Sequence, residues 1–170
     1  MTPDATPLLV GGLAVACLTD LRDRRIPYAL VIALGVAGVG GAALGWAPGL
    51  SGPDAVAGLG LGFLLWLPFH LTGMLGAGDV KLFAAAAAWL GPHATLAAAF
   101  LTALVGGMLA LGMLWREAGI RGGAARLAAA WHAPQLLRLD VRPAASRLPY
   151  ALAIAAGVLG ARWMPTAFPW

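Results

Sequence analysis

From Leu82 to Trp115 this chain carries no aspartate, glutamate, lysine or arginine. An uncharged apolar stretch of that length has few homes: the centre of a very large globule, or a lipid bilayer. The chain has only 170 residues, of which 61% are apolar and 11% charged. Soluble domains run near half apolar and a quarter charged. A globule of this size cannot hide so much apolar surface, and a disordered chain needs the opposite composition. The reading that survives is an all-α, polytopic transmembrane helical bundle forming a single membrane-embedded domain over 1–170. One cysteine, Cys17, excludes a disulfide framework and a cysteine-based zinc site. The net charge of +4 comes almost wholly from arginine. In a bilayer protein that is an orientation signal and not a mark of nucleic-acid binding.

Apolar runs predict about six membrane helices, over 5–19, 28–46, 55–71, 79–90, 94–115 and 148–164. Gly91-Pro92 divides what could otherwise be one long helix after Leu82. Charge parity agrees, because a hairpin at 91–93 puts Lys81 and Arg116 on one side. With the first loop in the cytoplasm, Arg22, Arg24, Arg25, Lys81 and the arginines of a cytoplasmic loop at about 116–147 all lie inside. Both termini then lie outside the cytoplasm, and Arg162 snorkels at the last helix end. Within the loop, residues 120–132 have helical spacing, which suits either a helix on the membrane surface or a plain basic connection. Gly35, Gly38 and Gly41, or Gly58 and Gly62, are expected to serve helix packing. Trp46, Trp66, Trp89, Trp115 and Trp163 read as an aromatic belt.

Carboxylates at the bilayer are costly and usually functional. Asp54, after Ser51-Gly52-Pro53, reads as a helix-start residue. Asp20 ends the first helix at the cytoplasmic face, and Asp79, after Gly76-Ala77-Gly78, opens the fourth. The fourth run rises only about 18 Å at 1.5 Å per residue, so its start must be sunk below the headgroups or the bilayer must thin. Two acids at similar depth on one side suggest a dyad. Two close carboxyls share one proton, so one can act as general base on water and the other as general acid to a scissile carbonyl.

Asp20-Leu21-Arg22-Asp23-Arg24-Arg25-Ile26-Pro27 resembles the first aspartate motif of the type IV prepilin peptidases. Gly76-Ala77-Gly78-Asp79-Val80-Lys81-Leu82 is similar to their second, the GxGD motif. Arg147-Leu148-Pro149-Tyr150, with Ala153 to Gly157, looks like the start of their last helix. The resemblance implies an aspartic endopeptidase of the bacterial inner membrane, with Asp20 and Asp79 catalytic. It would remove the leader of type IV or Flp-type prepilins at the cytoplasmic face. Its partners would be a prepilin or pilin-like substrate, the bilayer, and pilus or type II-like secretion machinery, with no cofactor, no metal and no nucleic acid. The short chain looks like a small tight-adherence member, and the cysteine tetrad of the methyltransferase region has no counterpart, so no N-methylation is expected. Many relatives have asparagine where this chain has Tyr28.

The supporting residues have plainer roles. Gly76 and Gly78 permit an irregular backbone beside the acid. Lys81 reads as an interfacial anchor, Arg22 as an orientation charge, and Pro27 as the start of the second helix. On macrodipole grounds Asp79, at a helix N-terminus, is assigned as the ionised base, and Asp20, near a C-terminus, as the protonated acid. The rival readings are a small proton-coupled transporter and a non-catalytic pilus or secretion assembly component. A metal held by His70 with both acids is the minor alternative.

Overall fold

The computed structural model describes residues 6–47, 49–132 and 150–163, and all regular structure among them is helical. Six helices follow in order: α1 (Thr6–Asp23), α2 (Tyr28–Ala43), α3 (Gly52–Leu71), α4 (Ala77–Ala87), α5 (Gly91–His132) and α6 (Tyr150–Trp163). Two segments, Gly52–Leu71 and Gly91–Met113, are long and apolar enough to cross a membrane. α2 and α6 are apolar but shorter. Residues 133–149 of the basic connection lie outside the described residues, as do Arg147-Leu148-Pro149. Residues 116–132, expected in a loop with helical spacing, are helix continuous with α5. Nothing in that stretch forces a break, since it contains no proline and its alanines, arginines and leucine favour helix.

Local chemistry sets the helix ends. Ser51 caps α3 and Asp54 returns the favour: the Asp54 N–H donates to Ser51 Oγ, and the Ser51 N–H to Asp54 Oδ2, each at 3.3 Å. Arg24 takes a left-handed φ of 51° after α1, and its N–H donates to the Asp20 carbonyl at 3.0 Å. That closes the helix as a left-handed cap does. Pro27 stands immediately before α2, where its carbonyl accepts from Leu30 and Val31. α4 stops at Ala87 and the chain turns through Gly91, whose φ is 72°.

α4 is the short element at the centre. Every residue from Leu82 to Trp89 is buried, so this part of the helix is apolar all round because it is enclosed all round. Small residues allow the enclosure. A Cβ on Gly58 would lie 2.5 Å from the Ala87 carbonyl oxygen, and one on Gly62 2.7 Å from Ala87 Cβ. On the other side, Gly38 leaves room for the Trp89 indole, whose N–H donates to the Leu34 carbonyl at 2.9 Å. Gly35, Gly38, Gly58 and Gly62 of the expected stripes thus face α4 and its C-terminal end, whereas Gly41 meets Trp46. The aromatic belt is corrected in part. Trp46, Trp115 and Trp163 are exposed, but Trp66 and Trp89 are each 4% exposed. Trp89 fills space that Gly38 leaves open, and Trp66 packs against the rings of Phe69, Phe83 and Tyr150. The outer surface carries many large apolar side chains, among them Leu18, Val36, Phe100 and Met108.

Helix pairing defines two ends of the bundle. At one end Arg162 Nη2 donates to Thr6 Oγ1 at 3.2 Å, joining the end of α6 to the start of α1. At the other lie the end of α1, the starts of α2, α4 and α6, and the end of α3.

Candidate active site

The second end gathers the residues singled out from the sequence. Asp79 is the third residue of α4, and its Oδ2 accepts the Gly76 N–H at 3.2 Å. The carboxyl therefore caps its own helix, satisfying one of the N–H groups a helix start leaves free. Gly76 has an ordinary extended φ of −70°, so the glycine is not needed for conformation. It is needed for space, because a Cβ there would sit 3.1 Å from Asp79 Oδ2. At Gly78 a Cβ would meet Ile26 at an ordinary 3.7 Å. That contact places the Ile26-Pro27 end of the first motif directly against the second.

Asp20 lies in the last turns of α1, half-buried. Its Oδ2 accepts the Ala151 N–H of α6 at 3.2 Å, across 131 residues of sequence. Asp20 and Asp79 lie within coulombic reach of each other, and Asp79 within reach of Tyr150. Three helices thus converge: α1 and α4 bring one acid each, and α6 brings its N-terminus. Each carboxylate is oriented by a backbone N–H, and the described residues show no hydrogen bond directly between the two. Carboxyls within coulombic reach influence each other's ionisation.

The contact with α6 changes the macrodipole argument. That argument weighed each acid against its own helix, and so set Asp20 apart at a C-terminal pole. In the structure Asp20 also faces an N-terminal pole, that of α6. Both acids accept from helix N-termini, and the asymmetry that distinguished base from acid loses its basis.

The remaining residues fall around this pair. Lys81 is exposed, and its Nζ lies 4.7 Å from the centre of the Tyr28 ring. Tyr28, standing where many relatives have asparagine, thus ties the start of α2 to the first turn of α4 by a cation–π contact. Arg22 is exposed in the last turn of α1. His70 is not drawn to the acids; its Nδ1 bonds the Leu75 carbonyl at 3.0 Å, within the loop that leads to Gly76. Among the described residues no group of three or more histidine, cysteine, aspartate or glutamate side chains is arranged to hold a metal.

Sequence reasoning passed over Tyr150 and Ala151 as site residues. The available signal was Pro149 immediately before an apolar run, a mark of a helix start with free N–H groups. Which acid those groups would meet is a tertiary matter.

Comparison with known sequences places the chain among relatives. The sequence model of the type IV leader peptidase family matches residues 8–111, a segment that contains both Asp20 and Asp79. No curated protein and no solved structure matches.

Proposed function

The chain belongs to the type IV leader peptidase family, and on that footing we propose that it is an aspartic endopeptidase in which Asp20 and Asp79 activate a water against the leader of a prepilin-like substrate. The convergence of two carboxylates, each oriented by a backbone N–H at one end of the bundle, carries this reading. In the hydrolytic step the ionised acid takes a proton from water as its oxygen attacks the scissile carbonyl carbon. The protonated acid gives its proton to the carbonyl oxygen, forming a tetrahedral diol. As the diol collapses, the C–N bond breaks and the amine nitrogen receives a proton. The products are a free carboxylate and a free amine, and the dyad returns to a shared proton.

The surroundings support a bilayer setting. Tyr150 packs on Gly106 of α5, and from Gly106 to Trp115 the helix runs on uncharged for about 13 Å at 1.5 Å per residue before Arg116 appears. The acids therefore lie below the end of the apolar span, which suits cleavage beside the membrane surface. Arginine placement supports a reading with this end on the cytoplasmic side of a bacterial inner membrane, six crossings and both termini opposite. Pilus or type II-like secretion machinery would be the consumer of the product. With Cys17 as its sole cysteine, the chain has no counterpart of a cysteine tetrad, and N-methylation is not part of the proposal.

Reconstitution with a candidate prepilin tests the reading. Wild-type protein should release the leader, and Asp20→Asn and Asp79→Asn should each abolish release while inserting normally. Retained cleavage by either variant refutes the dyad. Proton-coupled flux without proteolysis would instead favour the transporter, and pilus assembly indifferent to both substitutions the assembly component.

A further inference from the structure

The match to known relatives ends at residue 111, yet α6, which lies beyond it, supplies the sole side-chain hydrogen bond of Asp20 among the described residues. What holds that donor in place is visible in the packing. The Tyr150 ring packs closely on Gly106 of α5: a Cβ on Gly106 would come within 2.7 Å of Tyr150 Cε2 and 2.9 Å of its hydroxyl oxygen. Its other neighbour is Trp66 of α3, ring centres 6.4 Å apart and planes at 72°. Two turns further on, α6 is locked to α5 again, where Gly157 faces Thr102 so closely that no side chain fits. α6 can neither slide along α5 nor swing from it while both contacts hold.

We infer that Tyr150 is a positioning residue of the site. Its ring, seated between Gly106 and Trp66, sets the first turn of α6 so that the Ala151 N–H meets Asp20 Oδ2. The inference rests on the proposed peptidase reading for its consequence in catalysis, and on packing alone for its geometry. The ring does the anchoring, with its Cε2, Cζ and hydroxyl oxygen nearest Gly106.

The test approaches the contact from both sides. Tyr150→Ala removes the ring, and Gly106→Ala places a methyl where the ring lies. Each should lower kcat for leader removal about ten- to hundredfold, the scale of a catalytic group misplaced by roughly 1 Å, with KM little changed. Each should also move the acidic limb of the pH–rate profile, which a merely structural loss leaves in place. Tyr150→Phe keeps the ring and should cleave faster than Tyr150→Ala. The double variant Tyr150→Ala, Gly106→Ala should be no slower than Tyr150→Ala alone, because both changes break one contact. Amide hydrogen exchange at Ala151 gives a second readout that needs no cleavage: faster than wild type in Tyr150→Ala and Gly106→Ala, and less so in Tyr150→Phe. If the wild type cuts no leader, the peptidase reading fails while exchange still judges the anchor. Should Tyr150→Phe be as slow as Tyr150→Ala, or Tyr150→Ala exchange and cleave as the wild type does, the anchor is wrong.

Discussion

Consider Gly76→Ala, one methyl group added beside Asp79. The backbone at this position has φ −70° and ψ 149°, which alanine adopts freely, so any loss comes from crowding. The new Cβ would stand 3.1 Å from Asp79 Oδ2, closer than carbon and oxygen normally approach. The same oxygen accepts the Gly76 N–H at 3.2 Å, already at the long end of the normal range. A retreat of a few tenths of an ångström relieves the clash and breaks that bond. Hydrogen bonds to charged groups contribute about 1.5–3 kcal/mol. At about 1.4 kcal/mol per tenfold in rate, full expression in the transition state lowers kcat by roughly ten- to hundredfold. KM should hardly move, since the methyl acts through Asp79. The neighbouring glycine is the control. Gly78→Ala meets Ile26 at an ordinary 3.7 Å and gains helix propensity, about 0.5–1 kcal/mol, so cleavage should stay within about threefold of wild type by that reasoning. Initial rates of leader release from a prepilin in liposomes would report both. The argument fails if Gly76→Ala cleaves like wild type, or if Gly78→Ala loses as much.

Other perturbations reach the frame and the periphery of the site. Gly58→Ala sets a methyl 2.5 Å from the Ala87 carbonyl oxygen and should destabilise the bundle by about 1–3 kcal/mol, whereas Gly60→Ala, with nothing within 4 Å, should be neutral or slightly stabilising; unfolding in detergent micelles separates the two. Trp89→Phe removes the indole donor to the Leu34 carbonyl and should cost about 0.5–1.5 kcal/mol in the same assay. Tyr28→Ala removes the ring under Lys81; an exposed cation–π contact is worth about 0.5–1 kcal/mol, so its effect on cleavage should stay below about fivefold, and a larger loss would mean that Lys81 or Tyr28 meets substrate. For a proton-sharing dyad, kcat against pH should be bell-shaped, and a single plateau running through acid and alkali would argue against shared protons.

Much of the frame was legible in the residues. Six apolar runs, a short fourth one and a break at Gly91-Pro92 correspond to α1–α6, because a helix that must hide its backbone from lipid is written in local hydropathy and in glycine and proline. The Ser51–Asp54 cap and the two glycine stripes were equally local. Trp66 and Trp89 were misplaced on a belt because position near a helix end does not reveal whether the neighbour is lipid or another helix. Residues 116–132 were assigned to a connection on the strength of their arginines, while helix propensity carried α5 straight through them.

The acids themselves stood out in the linear chain, since a carboxylate beside an apolar run is costly wherever that run folds. Their hydrogen-bonding partners did not. Gly76 serving Asp79 follows from a three-residue spacing, but Ala151 serving Asp20 spans 131 residues. It comes with close packing of α6 on α5, Tyr150 against Gly106 and Gly157 against Thr102. Hydropathy and spacing along the chain specify which segments become helices and where charge cannot be avoided. The pairing of a given N–H with a given carboxylate depends on interhelical distances of a few tenths of an ångström, set by which small residues face each other once the bundle has packed.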